Sequence, residues 1–219
     1  MRGVEQVPWL YDAGMVLLEK TGLGRWRSWL ASGVLSGRVL DLGCGTGRNL
    51  PLFPAGVRAI GLDPCRESLL AARRRAPGVP LVRARAEALP FRDGAFDTVV
   101  SGLVFCSVTD VPRGLAEVRR VLKPGGVLRM LEHVRARGRA AARLQDLAQP
   151  AWTWFTGGCH PNRDTEGAVA DAGLAVDPAT YRAQGDLRRF ECQPVAPRSP
   201  GGARGTSRGA PESLPRAPS

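Results

Sequence analysis

The sequence predicts an α/β protein built on a largely parallel β-sheet with helices on both faces. Three observations carry that reading. Short apolar runs alternate with amphipathic segments from Val39 to Val134, the pattern of strands joined by crossover helices. Breaker pairs and clusters such as Pro77-Gly78 and Lys123-Pro124-Gly125-Gly126 separate those segments. The first apolar run, Val39 to Leu42, passes directly into glycines on alternate positions, Gly43, Gly45 and Gly47. A turn of that kind brings backbone to a ligand or to close packing.

In chain order, residues 1–38 carry two helices, around Tyr11 to Lys20 and Arg25 to Leu35, whose Trp9, Trp26 and Trp29 pack on the main body. Val39 to Leu42 is a buried strand, followed by the glycine turn and a short helix. Val57 to Leu62 is a second strand, and Glu67 to Ala76 is a helix closed by Pro77-Gly78. Leu81 to Ala84 is a third, short strand, and Phe96 to Val104 a fourth and the longest. Val111, Leu115, Val118 and Leu122 recur at helical spacing, and Val127 to Val134 is the fifth strand. Beyond it, Arg139 to Phe155 reads as a helix interrupted by Pro150. Asp164 caps a helix that Gly173 stops after Ala172. Leu174 to Tyr181 and Arg188 to Val195 are terminal strands. Residues 39–196 thus form the main domain. Pro197 to Ser219 is rich in Pro, Gly, Ser, Ala and Arg without periodicity and is expected to be a disordered tail.

Composition narrows the function classes. A chain of 219 residues with 43% apolar residues suits one globular domain, or at most two. It holds no apolar run of membrane-spanning length, and its N-terminus has no secretory pattern. Five widely spaced cysteines without a C-x-x-C point to free thiols in a reducing cytoplasm. With two histidines, no zinc-ligand spacing is present and no metal is expected. The net charge of +11 raises nucleic acid or an anionic surface as partners. However, the excess is almost all arginine and is scattered, which argues against nucleic acid and leaves a peripheral membrane contact open.

The glycine turn carries the chemistry. A strand that ends in Gly-x-Gly-x-Gly ahead of a helix offers backbone N–H groups to a ligand. A dinucleotide site wants its third glycine one residue later. Asp41 stands two residues before the first glycine, where a carboxylate favours a ligand with a cationic ammonium group. Asp63 closes the second strand in "AIGLDP", placed either to hold a ribose diol or to cap the next helix.

Taken in order, "VLDLGCGTG", "AIGLDP", "ARAEALPF", "FDTVVSGLVFCSV" and "EVRRVLKPGGVLRMLEH" resemble the class I S-adenosylmethionine (SAM)-dependent methyltransferases of the type 11 group, over about Val39 to Val134. That resemblance implies a Rossmann-like sheet of seven strands with the last antiparallel, and SAM as cofactor. It implies that Asp41 contacts the SAM amino group, directly or through water, and that Gly43, Gly45 and Gly47 admit the methionine moiety. It also implies that Asp63 holds the ribose between Leu62 and Pro64, and that Ala86 and Glu87 bound the adenine. Where many relatives carry Asp before the Ala-Glu pair, this chain has Arg85, so Glu87 or a backbone carbonyl takes the adenine amino group. "LVFCSV", "LEHV" and "QPAWTWFTGGCHPNRDT" resemble the thiol methyltransferases of animal membranes and their soluble bacterial relatives.

The implied reaction moves a methyl group to a small-molecule acceptor: a thiol, a phospholipid amine or a quinone precursor. Thiols and enolisable carbons need little base help, whereas alcohols and amines need a general base. His133 and Glu132, after the fifth strand, are the candidate catalytic residues, with capping of the strand as the structural alternative for His133. Cys106 and Ser107 end the fourth strand near the expected methyl position, and His160 beside Cys159 is a candidate for the acceptor pocket. Tyr11 and Asp12 either close over the cofactor or simply pack. Two rivals stand beside this reading: a nucleotide-dependent oxidoreductase, and a non-catalytic SAM- or nucleic-acid-binding module.

Overall fold

The computed structural model describes residues 7–34 and 36–195; the expected tail lies outside them. The sheet is formed by β1 (Arg38–Leu42), β2 (Arg58–Leu62), β3 (Leu81–Val82), β4 (Phe96–Gly102), β5 (Leu122–His133), β6 (Leu174–Val176), β7 (Arg182–Gln184) and β8 (Leu187–Pro194). The helices are α1 (Pro8–Leu18), α2 (Gly24–Ser32), α3 (Arg66–Arg75), α4 (Val111–Val121), α5 (Arg139–Thr156) and α6 (Thr165–Asp171). The spatial order is β3-β2-β1-β4-β5-β8-β6, with β7 paired to β8. β1 to β5 are parallel, while β8 is antiparallel to β5, β6 and β7. The eighth strand, unforeseen in the sequence, is β7: three residues that fold back on β8 and add nothing to the main path.

Strand alternation sorts side chains onto two faces. Leu40, Leu42, Val99, Leu128 and Met130 join Leu115, Val118 and Val121 of α4 and Val169 of α6 in one core. On the other face Val39, Val100 and Leu131 meet Met15 of α1 and Leu30 of α2. Helices therefore cover both faces, as the continuous apolar runs require.

Three expectations shift. After the glycine turn the chain makes only a 3-10 turn at Leu50–Leu52, so the loop does not sit at the N-terminus of a helix. β5 begins at Leu122, and its register with β4 jumps from Phe96↔Leu122 to Thr98↔Val127. The breaker cluster is thus absorbed as a bulge. α5 runs on through Pro150, an exposed position, to a left-handed Gly157 with φ +89°. Between α1 and α2, Gly22 (φ +122°) breaks a π-helical turn, Glu19–Leu23.

Candidate active site

A cavity of about 900 Å³ opens at the C-terminal ends of β1, β2, β4 and β5, astride β1, where the strand order reverses. The three glycines play different parts there. Gly43 (φ +60°) would drive a Cβ to 2.6 Å from Val104 Cγ2, and Gly47 (φ +78°) to 2.9 Å from Ala72 Cα. Both answer to packing. Gly45 (φ +54°) would place its Cβ with no heavy atom within 4 Å, and it lines the cavity. The room for a ligand is at Gly45; Gly47 does not line the cavity.

Asp63 stands at the rim and is fixed twice. Its Oδ2 accepts from Gly45 N–H at 2.9 Å and its Oδ1 from Cys65 N–H at 2.8 Å. The cap of α3 is Cys65, which makes no side-chain capping bond, so Asp63 ties β2 to the glycine loop instead. Burial raises its pKa against those two bonds. Leu62, Pro64, Arg85, Ala86 and Glu87 line the same half. Glu87 Oε1 accepts from the Thr109 and Asp110 N–H groups.

Asp41 is fully buried and lies off the lining. Oδ1 accepts from Asn49 Nδ2 at 2.8 Å; Oδ2, also buried, has no partner among the described residues. Burial pushes its pKa up to about 7. Asn49 in turn accepts from Arg27 Nη1 at 2.7 Å.

The segment before the first motif is anchored to the glycine loop. Asp12 Oδ1 accepts from Thr46 Oγ1 at 2.7 Å and Oδ2 from Arg75 Nη2 at 2.6 Å. Glu19 bridges Arg27 and Arg48. Tyr11 lines the cavity while Asp12 does not. Sequence analysis named Asp12 but missed Glu19, Arg48 and Arg75; a partly buried ion network between segments far apart in the chain leaves no periodic signal.

The other half of the cavity is built by the loop after β4, the end of β5 and the loop after α5. Glu132 is fully buried and off the lining. Its Oε1 accepts from Ser101 Oγ at 2.8 Å and Val104 N–H at 3.1 Å, and burial lifts its pKa to about 7. It anchors the turn at Leu103, a non-glycine residue at φ +61°, rather than facing the cavity. His133 does line the cavity. One ligand atom each of Cys106, His133 and Cys159 lie within 4.8 Å of one another, and all three residues line it. The Cys106 and His133 side chains hold the Cys159 thiol well below the usual range, against its burial. Burial opposes a charged His133, but Cys159, Asp186 and Glu132 together outweigh it and the imidazole pKa is raised.

Cys159 reaches this place because its loop is clamped. His160 N–H donates to Cys106 O at 2.8 Å and Arg163 Nη1 to Phe105 O at 2.8 Å and to Val108 O. The His160 ring turns to Gly158 O at 2.7 Å and lies off the cavity lining, against expectation. No spacing rule finds the cluster, since its members come from three separated segments.

An open α/β sheet with a glycine turn after β1 and a fixed carboxylate after β2 is the framework of a nucleoside-binding enzyme, and the sequence relatives make it one of the SAM-dependent methyltransferase class. The chain belongs to that family. Residues 40–130 match the Methyltransferase domain. Over 161 residues it is 34% identical to phosphatidylethanolamine N-methyltransferase of Cereibacter sphaeroides, covering 70% of this chain and 78% of that one. It is 40% identical over 140 residues to human thiol S-methyltransferase TMT1B, covering 59% of this chain and 57% of that protein, so it spans little more than half of that relative. The fold is shared with a Thermotoga maritima SAM-dependent methyltransferase described as a possible histamine N-methyltransferase (TM-score 0.63, 21% identity, 84% of this chain and 95% of that one). No helix among the described residues is long and apolar enough to cross a membrane.

Proposed function

We propose that this protein methylates a small, uncharged acceptor, a thiol, with SAM as donor, in the reducing cytoplasm. SAM supplies a sulfonium methyl group that is displaced in line and needs no activation. The residues present fit it. Gly45 leaves backbone open to the cavity, and Asp63 stands at the rim with lone pairs left for a sugar diol. The buried, unpartnered Asp41 Oδ2 suits an ammonium group, directly or through one water. Leu62, Pro64, Ala86 and Glu87 flank the nucleoside in this reading.

The observation that carries the acceptor class is the chemistry of the far wall. The lining contributed by the loop after β4, the end of β5, α5 with the loop after it and the β7–β8 hairpin contains cysteines, an imidazole, Trp152 and Phe155, and no carboxylate, lysine or arginine among the described residues. An ammonium or phosphate acceptor would be stripped of water there without a counter-charge. A neutral thiol meets a polarizable wall instead. The likeness to a human thiol S-methyltransferase supports the same class. We assign His133 to the acceptor end and Glu132 to positioning the Leu103–Val104 turn.

A radiolabelled methyl-transfer screen over apolar thiols, phenols, quinone precursors and phosphatidylethanolamine tests this. Labelled thioether is expected. Label found only in lipid amine or ring carbon would overturn the thiol assignment while leaving the family intact.

A further inference from the structure

We propose that Cys106, His133 and Cys159 form a site for a soft divalent cation, Zn²⁺ by ligand chemistry, whose fourth position faces the cavity and takes the sulfur of the acceptor. This deepens the thiol reading and rests on it.

Two thiols and an imidazole are a donor set for zinc. Tetrahedral zinc with metal–sulfur and metal–nitrogen bonds of ordinary length needs its donors about 3.5–3.8 Å apart, and these three already lie within 4.8 Å of one another. His133 Nδ1 is buried and has no hydrogen-bond partner among the described residues. The two cysteine-bearing loops are held in place. His160 N–H and Arg163 hold the Cys106 loop. Thr153 Oγ1 donates to Cys159 O at 2.9 Å, and Thr156 Oγ1 accepts from Cys159 N–H at 3.2 Å. No fourth His, Cys, Asp or Glu joins the cluster among the described residues, and all three members border the cavity. Three protein ligands with one open position is the arrangement of a catalytic rather than a structural zinc.

The chemistry closes. An acceptor thiol that coordinates through sulfur gives up its proton to water, because a metal-bound thiol ionises outright. The bound thiolate keeps a lone pair directed into the cavity. That pair forms the new carbon–sulfur bond as the sulfonium carbon–sulfur bond breaks, its electrons staying on the departing sulfur. The product is a neutral thioether, a weaker ligand than the thiolate, and it leaves the cation. His133 then serves as a ligand, and the metal takes over the role a free general base would play.

The test uses the full chain, purified under reductant, stripped with chelator and titrated with Co²⁺, then Zn²⁺. Near-ultraviolet thiolate-to-Co²⁺ charge transfer with visible bands of tetrahedral intensity is expected, and an apolar thiol should shift those bands. Cys106→Ser and Cys159→Ser should each weaken Co²⁺ binding tenfold or more. Because either variant could misfold, the wild type carries a second readout: Zn²⁺ should protect Cys106 and Cys159 from alkylation, mapped by mass spectrometry. No charge transfer and no protection would overturn the site. Stripped enzyme that methylates thiols at the full rate would overturn it too, with the thiol reading intact. Co²⁺ bands indifferent to every thiol, with methylation of another acceptor class, would overturn the fourth-position claim together with the thiol reading.

Discussion

Gly45 and Gly47 are equivalent in the motif and opposite in demand. An added methyl at Gly45 would enter open cavity, while at Gly47 it would meet backbone of α3. Gly45→Ala is expected to weaken SAM binding tenfold or more, because the added methyl enters the cavity and blocks the backbone approach, while left-handed strain lowers the melting temperature modestly. Gly47→Ala should instead lower the melting temperature, by overpacking costing about 1–3 kcal/mol. Calorimetry and thermal melts separate the two. Asp63→Ala removes the acceptor of Gly45 N–H as well as the proposed ribose contact. SAM affinity should fall by about 1–3 kcal/mol; unchanged binding would count against the assignment. Asp41 supplies a pH signature. Its folded pKa, about 7, lies above its ordinary 3.8, so the folded state holds the proton more tightly than the unfolded chain. Its contribution therefore erodes stability as pH rises from about 4 to about 7 and levels off above. Asp41→Asn should flatten that part of the melting profile of the SAM-free protein.

At the scale of elements, α1 and the loop after α5 hold the two halves of the cavity. Asp12→Ala would leave Arg75 and Arg48 short of a partner. About 1–2 kcal/mol of stability should be lost, between the surface and buried limits for ion pairs, and amide exchange in α1 should rise. Arg163→Ala frees the Phe105 and Val108 carbonyls. Turnover is expected to fall tenfold or more while SAM affinity holds, because the clamp lies on the acceptor side. Equal loss of both would show a global rather than a local effect. His133→Ala should likewise lower kcat without changing SAM affinity; wild-type values for both would make it structural.

Across the whole molecule, the glycine spacing separates a sulfonium nucleoside site from a dinucleotide site. Equilibrium dialysis should show SAM retained and NAD not; the reverse would restore the oxidoreductase reading. Arg27, Arg48, Arg75, Arg120 and Arg129 each pair with a carboxylate, so these five cations are already engaged within the chain.

By itself the sequence determined the α/β class, the succession of five parallel strands along the chain, the capped α6 and the family, because periodicity, caps and short motifs are local and a few residues suffice to write them. Asp41, Gly45 and Asp63, which the sequence puts forward for the cofactor, stand in such motifs. The tertiary structure alone decided which glycine leaves open room in the cavity, that Glu132 turns into the core, and that Cys106, His133 and Cys159 converge. Those facts depend on where crossover connections bring distant segments, and contacts made across the sheet leave no pattern along the chain.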